Sequence, residues 1–115
     1  MKALRYSQDY KEKIIEMRKY IDSYFGEAKR KEVFAKINGR IHEVKENENI
    51  GISVKNMFGI DTDYYFIYVA KNYIFYRIDD NQIYIVNIYD EREDYMWKLF
   101  GIKTTSQETE EYWGE

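Results

Sequence analysis

The chain contains one histidine, no cysteine and no proline, so any chemistry falls to arginine, lysine, tyrosine and the carboxylates. Arg77 lies inside the run YIFYRI (73–78). A guanidinium on a strand can clamp a phosphate with its fork of N–H donors, or pair with a nearby Asp or Glu. Lys55 alternates with apolar neighbours and offers either a second cation or a charge turned to solvent. His42 has the one side chain whose ordinary pKa suits general-base work near neutrality. It stands on a helical stretch with no strand partner in view, so a surface or helix-end position competes with that role. The pair Asp79-Asp80 and the run DERED (90–94) could gather a divalent cation, but such groups also make turns and start helices. Arg92, set inside that run, suits local ion pairing. The sequence has no Gly-rich phosphate loop, no HExxH and no Cys cluster, so neither cofactor nor metal is expected.

These groups depend on the elements that hold them. Residues 3–6 (ALRY) read as a short first strand. Ser7 is placed as an N-cap, with Asp9 and Glu12 adding negative charge near a helix start. Tyr10, Ile14, Met17, Ile21 and Tyr24 then recur every three or four residues, widened by Ile15 and Phe25. That spacing predicts an amphipathic helix to about Tyr24. Gly26 ends it. Phe34, Ile37, Ile41 and Val44 mark a second helix over 27–44. Gly39 weakens that helix by about 1 kcal/mol relative to Ala, which a close helix–helix approach would account for. The short turn at Gly26 requires an antiparallel helical hairpin.

After the polar stretch ENENI (46–50) the period falls to two. Ile52, Val54 and Asn56 alternate with Ser53 and Lys55, predicting a strand over 51–58. Strands over 64–69, 73–78 and 82–89 follow, joined by a tight connection at 70–72 and an Asx-rich hairpin at 79–81. These runs are nearly continuous in apolar residues, so both sheet faces should be partly covered. The acidic run 90–94 ends the sheet. Tyr95, Trp97, Leu99 and Phe100 predict a short helix stopped by Gly101. Thr105 and Glu108 fit a capping box for a last helical turn that carries Tyr112 and Trp113. The reading is α+β: a helical hairpin on a four-stranded antiparallel sheet, with a short extra N-terminal strand and short C-terminal helices.

The 115 residues fit one domain, 1–115, large enough to bury a core without disulfides or metal. No run of about 18 apolar residues suggests a membrane span, and the first residues lack the apolar segment of a leader, so the cytoplasm is the expected location. The net charge of −3 hides an asymmetry: residues 1–45 carry 12 Lys and Arg against 7 Asp and Glu, and residues 46–115 carry 6 against 14. Lys29, Lys36 and Arg40, spaced by seven and four, share one face of the second helix, flanked by Arg30 and Lys31. That face can meet an anionic partner or simply be solvated. The 13 tyrosines suit half-buried strand surfaces and can also furnish a binding face. An exposed aromatic groove is expected, with Tyr112 and Trp113 either closing the core or anchoring a partner's peptide.

The run 73–86 (YIFYRIDDNQIYIV), the segment IYDERED (88–94), and the tail 99–109 (LFGIKTTSQET) with YWGE (112–115) together resemble the RelE/ParE toxin superfamily of bacterial type II toxin–antitoxin systems. The likeness covers nearly the whole chain and is strongest after Tyr64. It implies a toxin silenced by a cognate antitoxin whose tail packs on the toxin's sheet and helices. RelE-like members cut messenger RNA on the ribosome; ParE-like members block DNA gyrase instead. RNA cleavage through the ribose 2′-hydroxyl needs a base, an acid and a cation for the phosphate. Tyr73 stands where RelE-like nucleases carry a prominent Arg, and Tyr89 or Asp90 stands at the closing His or basic position. The resemblance therefore implies a target-binding toxin of the gyrase type. The alternatives are a ribosome-dependent endoribonuclease using Arg77, Lys55 and Tyr89, and a non-toxic module on the same fold. The expected partners are the antitoxin and either gyrase or the ribosome with its mRNA; contact with the antitoxin's acidic tail, or with the target, would fall to Lys29, Lys36, Arg40, Tyr112 and Trp113.

Overall fold

The structure, a computed structural model, describes residues 2–101, without the Trp97 side chain. The expected capping box and the residues Tyr112 and Trp113 lie outside the described residues. The elements are β1 (Ala3–Tyr6), α1 (Gln8–Phe25), α2 (Glu27–Glu46), β2 (Ile52–Ser53), α3 (Val54–Phe58), β3 (Tyr64–Val69), β4 (Asn72–Ile78), β5 (Gln82–Asp90) and α4 (Tyr95–Phe100). They form a five-stranded sheet in the order β1-β5-β4-β3-β2. β1 pairs with β5 in parallel, and the other pairs are antiparallel.

Ser7 caps α1, its hydroxyl accepting from the Tyr10 N–H at 3.0 Å. Gly26, at φ +87, turns the chain from α1 into α2, its N–H returning to the Ile21 and Asp22 carbonyls. The hairpin covers one face of the sheet. Its Tyr10, Ile21, Phe34, Ile37, Ile41 and Val44 pack on Ile67, Ile74, Tyr76, Ile83, Ile85 and Ile88. The opposite face is also covered, as the continuous apolar strands require: Phe66, Phe75 and Tyr89 pack with Val54 and Phe58 of α3 and with Tyr95, Leu99 and Phe100 of α4. β5 faces both cores because of a bulge. Phe75 pairs with Asn87 but Tyr76 pairs with Ile85, so Val86 is the extra residue. The odd-numbered Ile83 and Ile85 and the even-numbered Ile88 consequently share the hairpin face.

Three expectations are corrected. The strand over 51–58 is two residues of β2 followed by α3. Ser53 caps that helix, accepting from the Asn56 N–H at 3.2 Å, and Gly59 closes it at φ +71. Three alternating positions cannot outweigh caps at both ends. Ile15, Tyr24 and Phe25 are not part of the buried stripe but exposed, because within the sheet α1 packs chiefly on β5 and its last turn stays at the surface. Among the described residues nothing lies within 4 Å of a Cβ built on Gly39, so no close approach of α1 explains it. Gly39→Ala is therefore expected to stabilise the fold by about 1 kcal/mol. Thermal melting should show a rise of roughly 4–8 °C; an unchanged or lower midpoint would mean that this helical position is not free.

Candidate functional site

Arg77 sits near the end of β4. Its Nε lies 3.6 Å from the Asp79 carboxylate and its guanidinium 4.9 Å from the centre of the Tyr84 ring. The sheet register puts Tyr64, Arg77, Tyr84 and Arg5 in one row across four strands. Leu4 and Tyr6, the neighbours of Arg5, pack on the hairpin core, so the row lies on the other face. Arg5 is exposed. The sequence reading missed it, because only the parallel pairing of β1 brings it beside Tyr84.

Lys55 is on α3, exposed, 3.8 Å from Asp61. Tyr89 lies near the far end of β5, opposite Tyr73. It is buried, its ring against Phe75 at 6.0 Å. Burial pushes its phenol above the usual range, and its oxygen accepts from Asn87 Nδ2 at 3.1 Å. Tyr73 and Arg77 are four residues apart on β4, roughly 13 Å along an extended strand. Arg77 and Tyr89 therefore do not share one reacting position on the sheet, and Lys55 is engaged with Asp61 on α3.

The basic face of α2 is compensated from within its own helix. Glu32 lies 3.8 Å from Lys29 and 3.3 Å from Lys36, Glu43 pairs with Arg40, and Glu27 lies 2.9 Å from Lys31. His42 is exposed, with Nδ1 2.8 Å from the Asn38 carbonyl. Arg92 pairs with Asp90 at 2.9 Å, and that hydrogen bond holds the Asp90 carboxyl below its ordinary pKa. Among the described residues no group of three or more His, Cys, Asp or Glu side chains could hold a metal ion. None of the described helices is long and apolar enough to cross a membrane.

Among the described residues an aromatic groove is present, with α1 forming one of its walls. It is a cleft of about 680 Å³ between Met17, Tyr20, Ile21 and Phe25 on one side and the Ala70–Asn72 turn with Ile88 on the other. The Tyr20 and Tyr24 rings pack against each other at a tilt, with centroids 4.7 Å apart, and Tyr20, Tyr24 and Phe25 are 57, 72 and 63% exposed. Such a cluster of large rings marks an interaction surface. The turn at its rim is strained. Ala70 and Lys71 have φ of +50 and +62, the left-handed conformations of a two-residue hairpin turn that favours Gly and Asn. The Lys71 carbonyl accepts from the Glu91 N–H at 2.9 Å, and Asn72 Nδ2 donates to the Ala70 carbonyl at 2.7 Å.

One side chain on the groove floor escaped the sequence reading. Lys13 reaches from α1 over the edge of β5, where its Nζ donates to the Ile88 carbonyl at 3.0 Å and lies 3.7 Å from the centre of the Tyr89 ring. Burial lowers its pKa, opposed in part by Glu93. A signal existed: a lysine three residues after Tyr10 and four before Met17 borders the buried stripe.

The groove and the sheet can be set beside known proteins. The profile of the family described as "ParE toxin of type II toxin-antitoxin system, parDE" matches residues 4–95. Among solved structures, a chain of the chromosomal ParDE TA system from P. aeruginosa superposes with a TM-score of 0.64 at 12% identity, covering 78% of this chain and 96% of that one; likeness at that identity is one of fold. Among curated proteins none matches the sequence. The chain belongs to the ParE toxin family of type II toxin–antitoxin systems, and its α+β fold matches that of the P. aeruginosa ParDE-system chain.

Proposed function

We propose that this toxin arrests growth by binding a cellular target of the DNA gyrase type, in the cytoplasm, and that a cognate antitoxin silences it by seating in the groove beside α1. The dispersion of Arg77, Lys55 and Tyr89 carries the first half. A general acid–base pair must reach one scissile phosphate within hydrogen-bond distance; Arg77 and Tyr89 stand toward opposite ends of the β4–β5 pairing, and Lys55 lies off the sheet on α3, beside Asp61. The exposed rings of Tyr20, Tyr24 and Phe25 support the second half, since large aromatics dominate interface energies.

A ribonuclease reading keeps one supporting observation, the row Arg5-Tyr84-Arg77-Tyr64. It interleaves two guanidiniums with two rings, a pattern suited to phosphates and stacked bases. Expression from a tightly controlled promoter separates the readings. Growth arrest is expected, with altered plasmid supercoiling and intact transcripts, and Arg77→Ala should retain the arrest. New 5′ ends at ribosome-occupied codons that vanish in Arg77→Ala would overturn the proposal. Normal growth at full expression would point to a non-toxic module.

A further inference from the structure

We propose that Lys13 is a carboxylate receptor in the floor of the groove, where it reads one acidic side chain set beside the apolar anchors of the antitoxin's docking segment. The inference rests on the reading that the groove seats the antitoxin. It begins with an imbalance of charge. Three carboxylates line the cleft, Glu16, Asp90 and Glu93, and two of them are already engaged. Asp90 pairs with Arg92 at 2.9 Å; Glu93 pairs with Lys98 at 3.0 Å and accepts from the Asp90 N–H at 2.7 Å. Of the cations on the same walls, Lys29 faces Glu32 at 3.8 Å. Lys13 and Lys71 have no carboxylate within ion-pair distance among the described residues. The uncompensated charge of the cleft is positive.

Lys13 is also built to hold one position. An ammonium has three N–H donors; the Ile88 carbonyl takes one, and the Tyr89 ring fixes the head from one side. Its remaining capacity lies beside an apolar wall formed by Met17, Ile21 and Ile88. A half-buried ammonium that feels Glu93 and Asp9 only from beyond ion-pair distance gains most from a partner that arrives with both a carboxylate in contact and a dry surround. Water or a mobile anion supplies only half of that. The occupant implied is an amphipathic segment with aromatic or aliphatic anchors against Tyr20 and Phe25, and an Asp or Glu that reaches Lys13. Lys71, exposed on the strained turn, adds a second positive point at the rim.

The test uses the full toxin and its cognate antitoxin, with affinity measured by calorimetry at fixed salt. In the antitoxin each Asp and Glu is changed singly to its amide, with wild-type toxin as the partner, so no toxin variant has to fold. One amide substitution is expected to weaken binding at least tenfold. Lys13→Met should weaken it by a similar factor and be insensitive to that same amide, and Lys13→Arg should recover part of the loss. Tyr20→Ala serves as the check on the groove. If Tyr20→Ala weakens binding while no amide and no Lys13 change does, the groove seats the antitoxin and the carboxylate receptor is overturned. If neither Tyr20→Ala nor Lys13→Met matters, the groove reading fails and takes this inference with it.

Discussion

Replacing Phe75 with Ala should remove about 3–5 kcal/mol of stability, the cost of emptying a large buried ring site. Phe75 is fully buried in the middle of β4, with its ring 5.7 Å from Phe66, 5.4 Å from Tyr95, 5.9 Å from Phe100 and 6.0 Å from Tyr89. It is where the sheet meets α4. The ring belongs to the core opposite the hairpin, so collapse of the cavity must come from Phe66, Tyr89 and α4 on that same face. Stabilities of such chains run at about 5–15 kcal/mol in total, so the loss is a large share. Urea unfolding measures it directly. As a control, Tyr68→Ala, at an exposed position of β3, should cost far less. A Phe75→Ala loss below about 1 kcal/mol would mean that α3 and α4 only rest on the sheet and form no second core.

The second large effect concerns Tyr76 and the loop that crosses it. Tyr76 is fully buried, its ring stacked on Tyr65 at 5.7 Å. Its hydroxyl donates to the Glu48 carbonyl at 2.9 Å and accepts from the Gly51 N–H at 3.0 Å. Tyr76→Phe orphans both groups and should cost about 1–3 kcal/mol. Gly51→Ala should cost a similar amount, because a Cβ there would overlap the hydroxyl and sit 2.8 and 2.9 Å from two ring carbons of Tyr76. That ring cannot yield without disturbing Tyr65. The pH dependence gives a sharper readout. Burial pushes the Tyr76 phenol from 10.0 up to about 12, against the pull of the Gly51 N–H. The folded state favours the neutral form, so this contribution is complete below pH 10 and is lost as pH rises toward 12. Tyr76→Phe should flatten the fall in stability over that range. Tyr10, also raised by burial, should leave a residual slope. An alkaline limb unchanged by Tyr76→Phe would show that Tyr76 does not drive it.

The long elements were legible because their signals are redundant. Over α1 and α2 the apolar spacing, Ser7 and Gly26 all point the same way, and the strands after Tyr64 are too aromatic and β-branched to suit anything else. The passage from β2 to α3 was not, since Ile52, Ser53 and Val54 satisfy either period and only the caps Ser53 and Gly59 at the two ends of α3 decide. The bulge at Val86 left no trace either: with apolar residues on both faces, an extra residue does not break the pattern. The site was half legible. Aromatic content announced a groove, but Tyr24 read as buried, because periodicity states which residues share a helix face and not whether a sheet extends beneath it. Arg5 and Lys13 gain their surroundings from β5, far along the chain, and no local pattern carries that.

The pairing of β1 with β5 also bears on when the molecule comes into being. Ser7 bonds the Val86 carbonyl across 79 residues, and among the described residues β1 has no other strand neighbour. Local pieces such as the α1–α2 hairpin and the β3–β4 ribbon can form early; a contact of such long sequence separation is slow and comes late. During synthesis the first strand therefore waits as a loose thread until the last one is made. The cleft between α1 and β5 closes at that same moment. Whatever occupies it meets a finished toxin, not a nascent one.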